Sequence, residues 1–186
     1  MNTTGAPFVV IGCGDKKREG THAAVDLYAG PLYLSRLAYA RALGGPHAIL
    51  SGLYGLIEPG REVPAYNFRL SERSTAEREH WIQTQAERLL HQAGERHIVV
   101  LAAGEYLEIL RHLPADRVTV PARGLPIGKQ RAELGRLTRE LGERASEDAS
   151  ASGAEWLARE FDLLAADDEV LVTAGALREF MRRRAV

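Results

Sequence analysis

Short, unbroken apolar runs alternate along this chain with longer stretches of helical spacing. The first run, Phe8 to Ile11, is rich in β-branched residues and predicts a buried strand. Gly12-Cys13-Gly14-Asp15-Lys16-Lys17 follows it, a loop by composition. Pro31 opens a predicted helix with apolar positions at Leu32, Leu34, Leu37, Ala38 and Leu43, stopped by Gly44-Gly45. His47 to Ser51 predicts a second strand. Gly52 to Leu56 then leads into a loop carrying Pro59, Gly60 and Pro64.

The spacing predicts a long helix over about 75–93, with Ser74 as N-cap and Glu77 as its capping-box partner. His97 to Ala102 reads as a third strand, 104–113 as a short helix, and 117–120 as a fourth strand. A loop over 121–128 precedes a helix over 129–144. Residues 146–153 are small and polar and read as a linker. The tail, 154–186, shows helical spacing and ends in a short basic amphipathic helix over 177–184.

Strands alternating with helices predict an α/β fold. The expected domain is a single core over 1–145, a mostly parallel sheet flanked by helices, with a helical C-terminal tail. Ligands in such folds sit at the carboxyl ends of strands. Attention therefore falls on loops 12–30, 51–70, 102–106 and 121–130.

Composition narrows the function. The chain has 186 residues, 45% hydrophobic and 26% charged, an ordinary globular balance. Lys+Arg is 24 against Asp+Glu 25, a net charge of -1, which excludes a wholly basic nucleic-acid coat but not a local basic groove. Cys13 is the one cysteine, so an internal disulfide and a four-cysteine zinc site are excluded. The histidines (His22, His47, His80, His91, His97, His112) lack zinc-site spacing, and no metal or other cofactor is expected. Residues 1–8 lack the basic start and apolar run of a signal peptide, and no run of about eighteen apolar residues occurs. The expectation is a cytoplasmic chain without membrane contact.

Several residues could carry chemistry. Gly12 and Gly14 flank Cys13 and allow close backbone approach to a ligand. Asp15 could act as a general base or stabilise a cation, and Lys16 and Lys17 could hold phosphates; the bland alternative is a solvated turn. The spacing is neither a Walker loop nor a dinucleotide fingerprint. Cys13 reads as a nucleophile or, more simply, as a small buried filler.

Asp26 and Tyr28 precede Gly30-Pro31 at a helix N-terminus, where anions bind; Asp26 could equally cap the local turn. After Ser51 and Gly52, Tyr54, Tyr66 and Phe68 could wall a flat ring, with Phe68 favoured as core. Asn67 offers an amide suited to a nucleobase edge. Arg69 and Lys129, the latter in the glycine-rich turn 124–130, could contact phosphate. The basic end 182–184 reads as a solvated helix end.

Ile49-Leu50-Ser51-Gly52-Leu53-Tyr54-Gly55-Leu56-x-x-Pro59, followed by Pro64-x-Tyr66-x-x-Arg69-Leu70, resembles the signature of the YaaA family of peroxide-stress proteins. Asp26-Leu27-Tyr28-x-Gly30 and Leu101-Ala102-x-x-Glu105-Tyr106 resemble it in the same order. Cys13-x-x-x-Lys17 and Gly124-x-x-x-Gly128-Lys129 look closer to a shorter branch of that family. The resemblance spans about 8–135 and implies association with DNA and protection from oxidative damage. The layout is also similar to uracil-DNA glycosylases, whose first strand ends in a Gly-x-Asp loop that positions water. Val9 to Asp15 looks like that loop, with Lys16-Lys17 where those enzymes carry Pro-Tyr.

The resemblance implies a DNA glycosylase acting on a flipped, modified or damaged base, in repair or in defence against phages. In that scheme Asp15, Asp26 and Asn67 would serve catalysis. Cys13, Gly14, Tyr28, Gly30, Ser51, Gly52, Tyr54 and Tyr66 would line the base pocket, and Lys16, Lys17, Arg69 and Lys129 would hold DNA phosphates. Double-stranded DNA is the expected partner, and no protein partner is implied. The rival readings are a non-catalytic DNA-binding stress protein and an N-glycosidase of free nucleosides or nucleotides.

Overall fold

The five residues Phe8–Gly12 form strand β1, and every one of them is buried. Such a strand belongs in the middle of a sheet covered on both faces. It pairs in parallel with β3 (His47–Ser51) on one side and with β6 (Ile98–Leu101) on the other. The computed structural model describes residues 5–165.

Before β3 come β2 (Thr21–Ala23), α1 (Ala24–Leu27) and α2 (Pro31–Ala42); between β3 and β6 lie β4 (Gly55–Ile57), β5 (Glu62–Pro64) and α3 (Thr75–Ala93). After β6 come β7 (Val118–Thr119) and α4 (Ile127–Ala165). The main sheet has the order β4-β3-β1-β6-β7, with β4 alone antiparallel. The fold is α/β with a mostly parallel sheet flanked by helices, as the alternation of patterns predicts.

Strand side chains alternate between two cores. Val10, Ala48, Leu50, Leu56, Ile98 and Val100 pack with Trp81, Ile82 and Leu89 of α3. Val9, Ile11, Ile49, Ile57, Val99 and Leu101 pack with Leu27, Tyr33 and Leu37, and with Leu134 of α4. Each fully buried Ile, Leu or Val contributes about 1.5–3 kcal/mol of transfer free energy.

Helix α3 begins and ends where its sequence directs. The Ser74 side chain accepts from the Glu77 amide, and Glu77 Oε2 returns the bond to the Ser74 backbone at 2.9 Å. Helix α2 buries Leu37 as expected, with Leu32 and Leu43 partly buried against the same core, but it leaves Leu34 and Ala38 outside. Tyr33, Arg36, Leu37 and Ala40 point inward, while Leu34 is 49% exposed and Ala38 is exposed. Tyr33 wins the core because it bridges the loop after β1 to the helix, its hydroxyl donating to the Val25 carbonyl at 3.0 Å.

Residues 104–112 form the expected short helix, of the 3-10 type, entered through Gly104 at φ 58°. Two expectations need correction. The polar stretch 146–153 is helical, inside α4, because its alanines and glutamate favour helix more than its serines suggest a linker. Phe68 is half-buried under the Arg73 guanidinium, 5.2 Å from its ring, and joins neither core. The chain divides into two compact units, Met1–Gly142 and Glu143–Val186. The basic helix expected over 177–184 lies outside the described residues.

Candidate functional site

The order of the parallel strands sets a topological switch point at β1. The chain leaves β1 toward β3 on one side and later returns to β6 on the other. In α/β sheets such a switch point, at the carboxyl ends of the strands, is where ligands commonly bind. Cys13 follows β1, Ser51 ends β3, and Tyr106 follows β6.

Two long loops are zipped together over this edge. Strands β2 and β5 pair antiparallel, with His22 opposite Val63. Ala65 N–H donates to the Gly20 carbonyl and Ala24 N–H to the Arg61 carbonyl, both at 2.8 Å. The first loop also folds on itself: Arg18 N–H reaches the Leu27 carbonyl at 2.8 Å and Ala29 N–H the Lys16 carbonyl at 2.9 Å. These bonds bring Tyr28 against Tyr66 and hold Lys17 above both.

The resulting cluster is built of hydroxyls. Tyr66 Oη lies 2.7 Å from Ser51 Oγ and 3.0 Å from Tyr28 Oη. Ser51 Oγ also accepts from the Tyr54 amide at 3.1 Å. Each hydroxyl has one proton and two lone pairs, so the three form a directional chain. Cys13 Sγ lies 3.2 Å from Tyr106 Oη. The Tyr54 ring meets the Tyr66 ring edge-on at 5.2 Å between centroids. Lys17 Nζ sits 4.2 Å from the Tyr66 centroid and 5.8 Å from that of Tyr28, within cation–π range.

The Gly52 position is set by steric need. A Cβ there would stand 2.8 Å from Tyr106 Oη and 3.1 Å from the Leu70 amide nitrogen. Gly55 closes the β3–β4 hairpin at φ 72°, and a Cβ on it would lie 2.4 Å from Gln85 Oε1. That oxygen accepts from the Leu56 amide at 2.8 Å, which fixes the hairpin to α3.

Burial keeps these phenols protonated. The Tyr28 hydroxyl is pushed up to about 12 by loss of solvent. Tyr66 and Tyr106 are pushed further in the same direction, first by burial and then by the Cys13 thiol nearby. The cluster thus offers neutral hydroxyl donors and acceptors beside the Lys17 side chain and the Cys13 sulfur.

The structure brings together Cys13, Lys17, Tyr28, Ser51, Gly52, Tyr54 and Tyr66. Gly14 adjoins them: a Cβ there would lie 3.5 Å from Tyr33 Cβ and 3.9 Å from Tyr28 Cβ. Gly30 borders the outer loop, near Lys16. Asp15, Asp26, Asn67, Lys16, Arg69 and Lys129 are exposed, and among the described residues no carboxylate hydrogen-bonds the hydroxyl chain. Asp15 follows Gly14 directly and so stands at the edge of the cluster.

Sequence reasoning missed Tyr106, Arg73 and Arg36 as site residues. Arg73 Nη2 donates to the Gly52 carbonyl at 3.0 Å and props the turn after β3. Arg36 lies beneath the loop after β1, its Nη1 3.4 Å from where a Gly12 Cβ would stand. The signal for Arg36 was its place at the third and fourth spacing of α2 with Tyr33 and Ala40. Among the described residues no group of three or more His, Cys, Asp or Glu could hold a metal ion. No helix among them is long and apolar enough to cross a membrane.

These features describe an α/β protein with a mostly parallel sheet and a cluster of aromatic rings and hydroxyls at its carboxyl edge. Residues 8–136 match the DUF6884 family, a family of unknown function, and the chain belongs to it. No curated protein and no solved structure matches the chain.

Proposed function

We propose that the cluster binds a nucleobase, and that the protein is a DNA glycosylase hydrolysing the N-glycosidic bond of a flipped modified or damaged base. The observation that carries this reading is the ring-walled chain of neutral hydroxyls, Tyr28–Tyr66–Ser51, under the Lys17 ammonium. A nucleobase is a flat ring with a hydrogen-bonding edge, and the cluster supplies both complements. Lys17 lies beside Lys16 and Arg18 on the same loop, and this basic run suits the phosphates that flank a flipped nucleotide.

In this scheme the C1′–N bond breaks with its electron pair leaving on the base. Positive charge builds on the sugar, water adds to C1′, and the proton it gives up passes to the departing base. To Asp15, on the loop that carries Cys13, we assign the role of stabilising that charge and orienting the water. Asp26 and Asn67 are exposed, as Asp15 is. Hydrolysis needs only water as co-reactant.

The lack of a carboxylate hydrogen-bonded to the cluster, among the described residues, favours a second reading: binding of the same ligand without chemistry. One experiment separates them. The protein is incubated with undamaged, uracil-containing, oxidised and hypermodified duplex DNA, and with free nucleosides, followed by alkali and product analysis. Strand breaks on one DNA, lost in Asp15→Asn with binding retained, support the glycosylase. Release from nucleosides alone supports a small-molecule N-glycosidase. Binding without release anywhere sinks both catalytic readings.

A further inference from the structure

We propose that the carboxyl edge of the sheet also holds a receptor for one anionic oxygen of a ligand, built on Arg36. This site stands whether or not the protein is a glycosylase.

Arg36 lies on the buried stripe of α2 and is 5% exposed. Among the described residues its guanidinium makes one hydrogen bond, from Nη2 to Gln130 Oε1 at 3.2 Å. No carboxylate among them comes within ion-pair distance. A guanidinium has five donors and a full charge, and a neutral amide answers one donor and none of the charge. Removing such a cation from water without a counter-charge costs several kcal/mol. Burial alone pulls its ionisation down to about 10, and the Cys13 thiol is the single ionisable group that opposes the shift.

The guanidinium faces a small cavity of about 10 Å³ lined by Arg36, Ala102, Val120, Ala122, Gln130 and Leu134. That is room for about one water-sized atom and far too little for a ring. Apart from Arg36 and Gln130, these lining side chains are apolar. Gln130 is oriented for the role: its Nε2 donates to the Leu125 carbonyl at 2.7 Å, which turns Oε1 toward Arg36. Gln130 stands in the first turn of α4, where its own amide N–H donates to the Pro126 carbonyl at 2.9 Å.

An occupant must therefore be small at its tip, anionic, and able to use a planar fork. An oxygen of a phosphate or of a carboxylate meets all three conditions. Arg36 Nη1 lies 3.4 Å from where a Cβ on Gly12, the last residue of β1, would stand, so the receptor sits at the carboxyl edge of the sheet.

The test uses the full chain and thermal unfolding at constant ionic strength, in inorganic phosphate, in acetate, and in chloride as reference. Phosphate or acetate should raise Tm with a saturable dependence on concentration. Response to phosphate alone identifies a phosphorylated ligand, and response to acetate alone a carboxylate. Arg36→Met should lose the response. Gln130→Glu, which places a carboxylate against the guanidinium, should also lose it while keeping Arg36, and it decides the matter if Arg36→Met does not fold. No response in the wild type, or an undiminished response in either folded variant, overturns the proposal.

Discussion

Cys13 Sγ and Tyr106 Oη meet at 3.2 Å although 93 residues separate them in the chain. They meet because β1 and β6 are neighbours and parallel, with Ile11 opposite Leu101, so the loops that follow both strands emerge side by side. The contact marks the switch point of the sheet. Tyr106 also lies against Gly52, where a Cβ would stand 2.8 Å from its Oη, and packs edge-on against Trp81 at 6.1 Å. One phenol thus ties the loops after β1, β3 and β6 into a single rim.

Gly52→Ala should be strongly destabilising. Its methyl would meet Tyr106 Oη at 2.8 Å and the Leu70 amide at 3.1 Å, and the second neighbour is backbone. Overpacking of this kind costs about 1–3 kcal/mol. Tyr106→Phe alone should cost about 1 kcal/mol through its lost hydrogen bond. In the double variant the hydroxyl clash disappears and the backbone clash stays. Urea unfolding of the four proteins should therefore show partial relief, with a total loss smaller than the sum. Strict additivity would place the two residues apart.

The buried phenols predict weakening in alkali. A tyrosine whose folded-state ionisation is raised keeps its proton where the unfolded chain, with an ordinary value of 10.0, begins to lose it. The folded state then binds more protons, so stability falls as pH rises. The contribution of Tyr28 is complete below pH 10.0 and is lost as pH climbs toward its folded value of about 12. Tyr66 and Tyr106 act in the same direction. Unfolding free energy in urea should be flat below that window and decline above it. Tyr28→Phe should reduce the decline by up to about 1.4 kcal/mol per pH unit. An unchanged slope in that variant would place the Tyr28 phenol in solvent.

Much of the scaffold was legible because its signals are local. Phe8 to Ile11 declares a buried strand, Pro31 a helix start, and Ser74 with Glu77 a capping box, and each is realised. The β2–β5 ribbon was not legible, since three residues such as Thr21–Ala23 carry no period and gain their order from the partner. Of the site, Tyr54 and Tyr66 stood out as aromatic residues after a strand that could wall a flat ring. Arg36 did not, because a single basic residue on a helix reads as solvated until the packing turns it inward.

Lys17 should stabilise the rim through the ring beneath it. Its Nζ stands 4.2 Å from the Tyr66 centroid at a partly exposed position, where such contacts are worth about 0.5–1 kcal/mol. Lys17→Met keeps most of the apolar stem and removes the charge. A double-mutant cycle with Tyr66→Leu should return a coupling of about that size. Tyr66→Phe, which keeps the ring, should leave the contribution of Lys17 in place while losing the bonds to Ser51 and Tyr28. A coupling near zero in the Leu cycle would mean that Lys17 points away from the cluster.

Arg36→Met is expected to separate charge from packing within one helix. Leu37 is its neighbour on α2 and is 5% exposed, as Arg36 is. Leu37→Ala should cost about 2–5 kcal/mol, the usual loss for a leucine in a core. Arg36→Met also changes a buried side chain, yet it removes a cation without a counter-charge and leaves an apolar chain of similar reach. Replacement of buried ionic groups by apolar ones is often neutral or stabilising. Unfolding in urea, without phosphate or carboxylate buffers, should therefore leave Arg36→Met no less stable than the wild type. A loss as large as that of Leu37→Ala would mean that the Gln130 hydrogen bond alone holds Arg36 as a structural strut. Gln130→Leu would then reproduce that loss, whereas a guanidinium kept for a ligand makes Gln130→Leu the more damaging change of the two, because it strips the cation of its last partner.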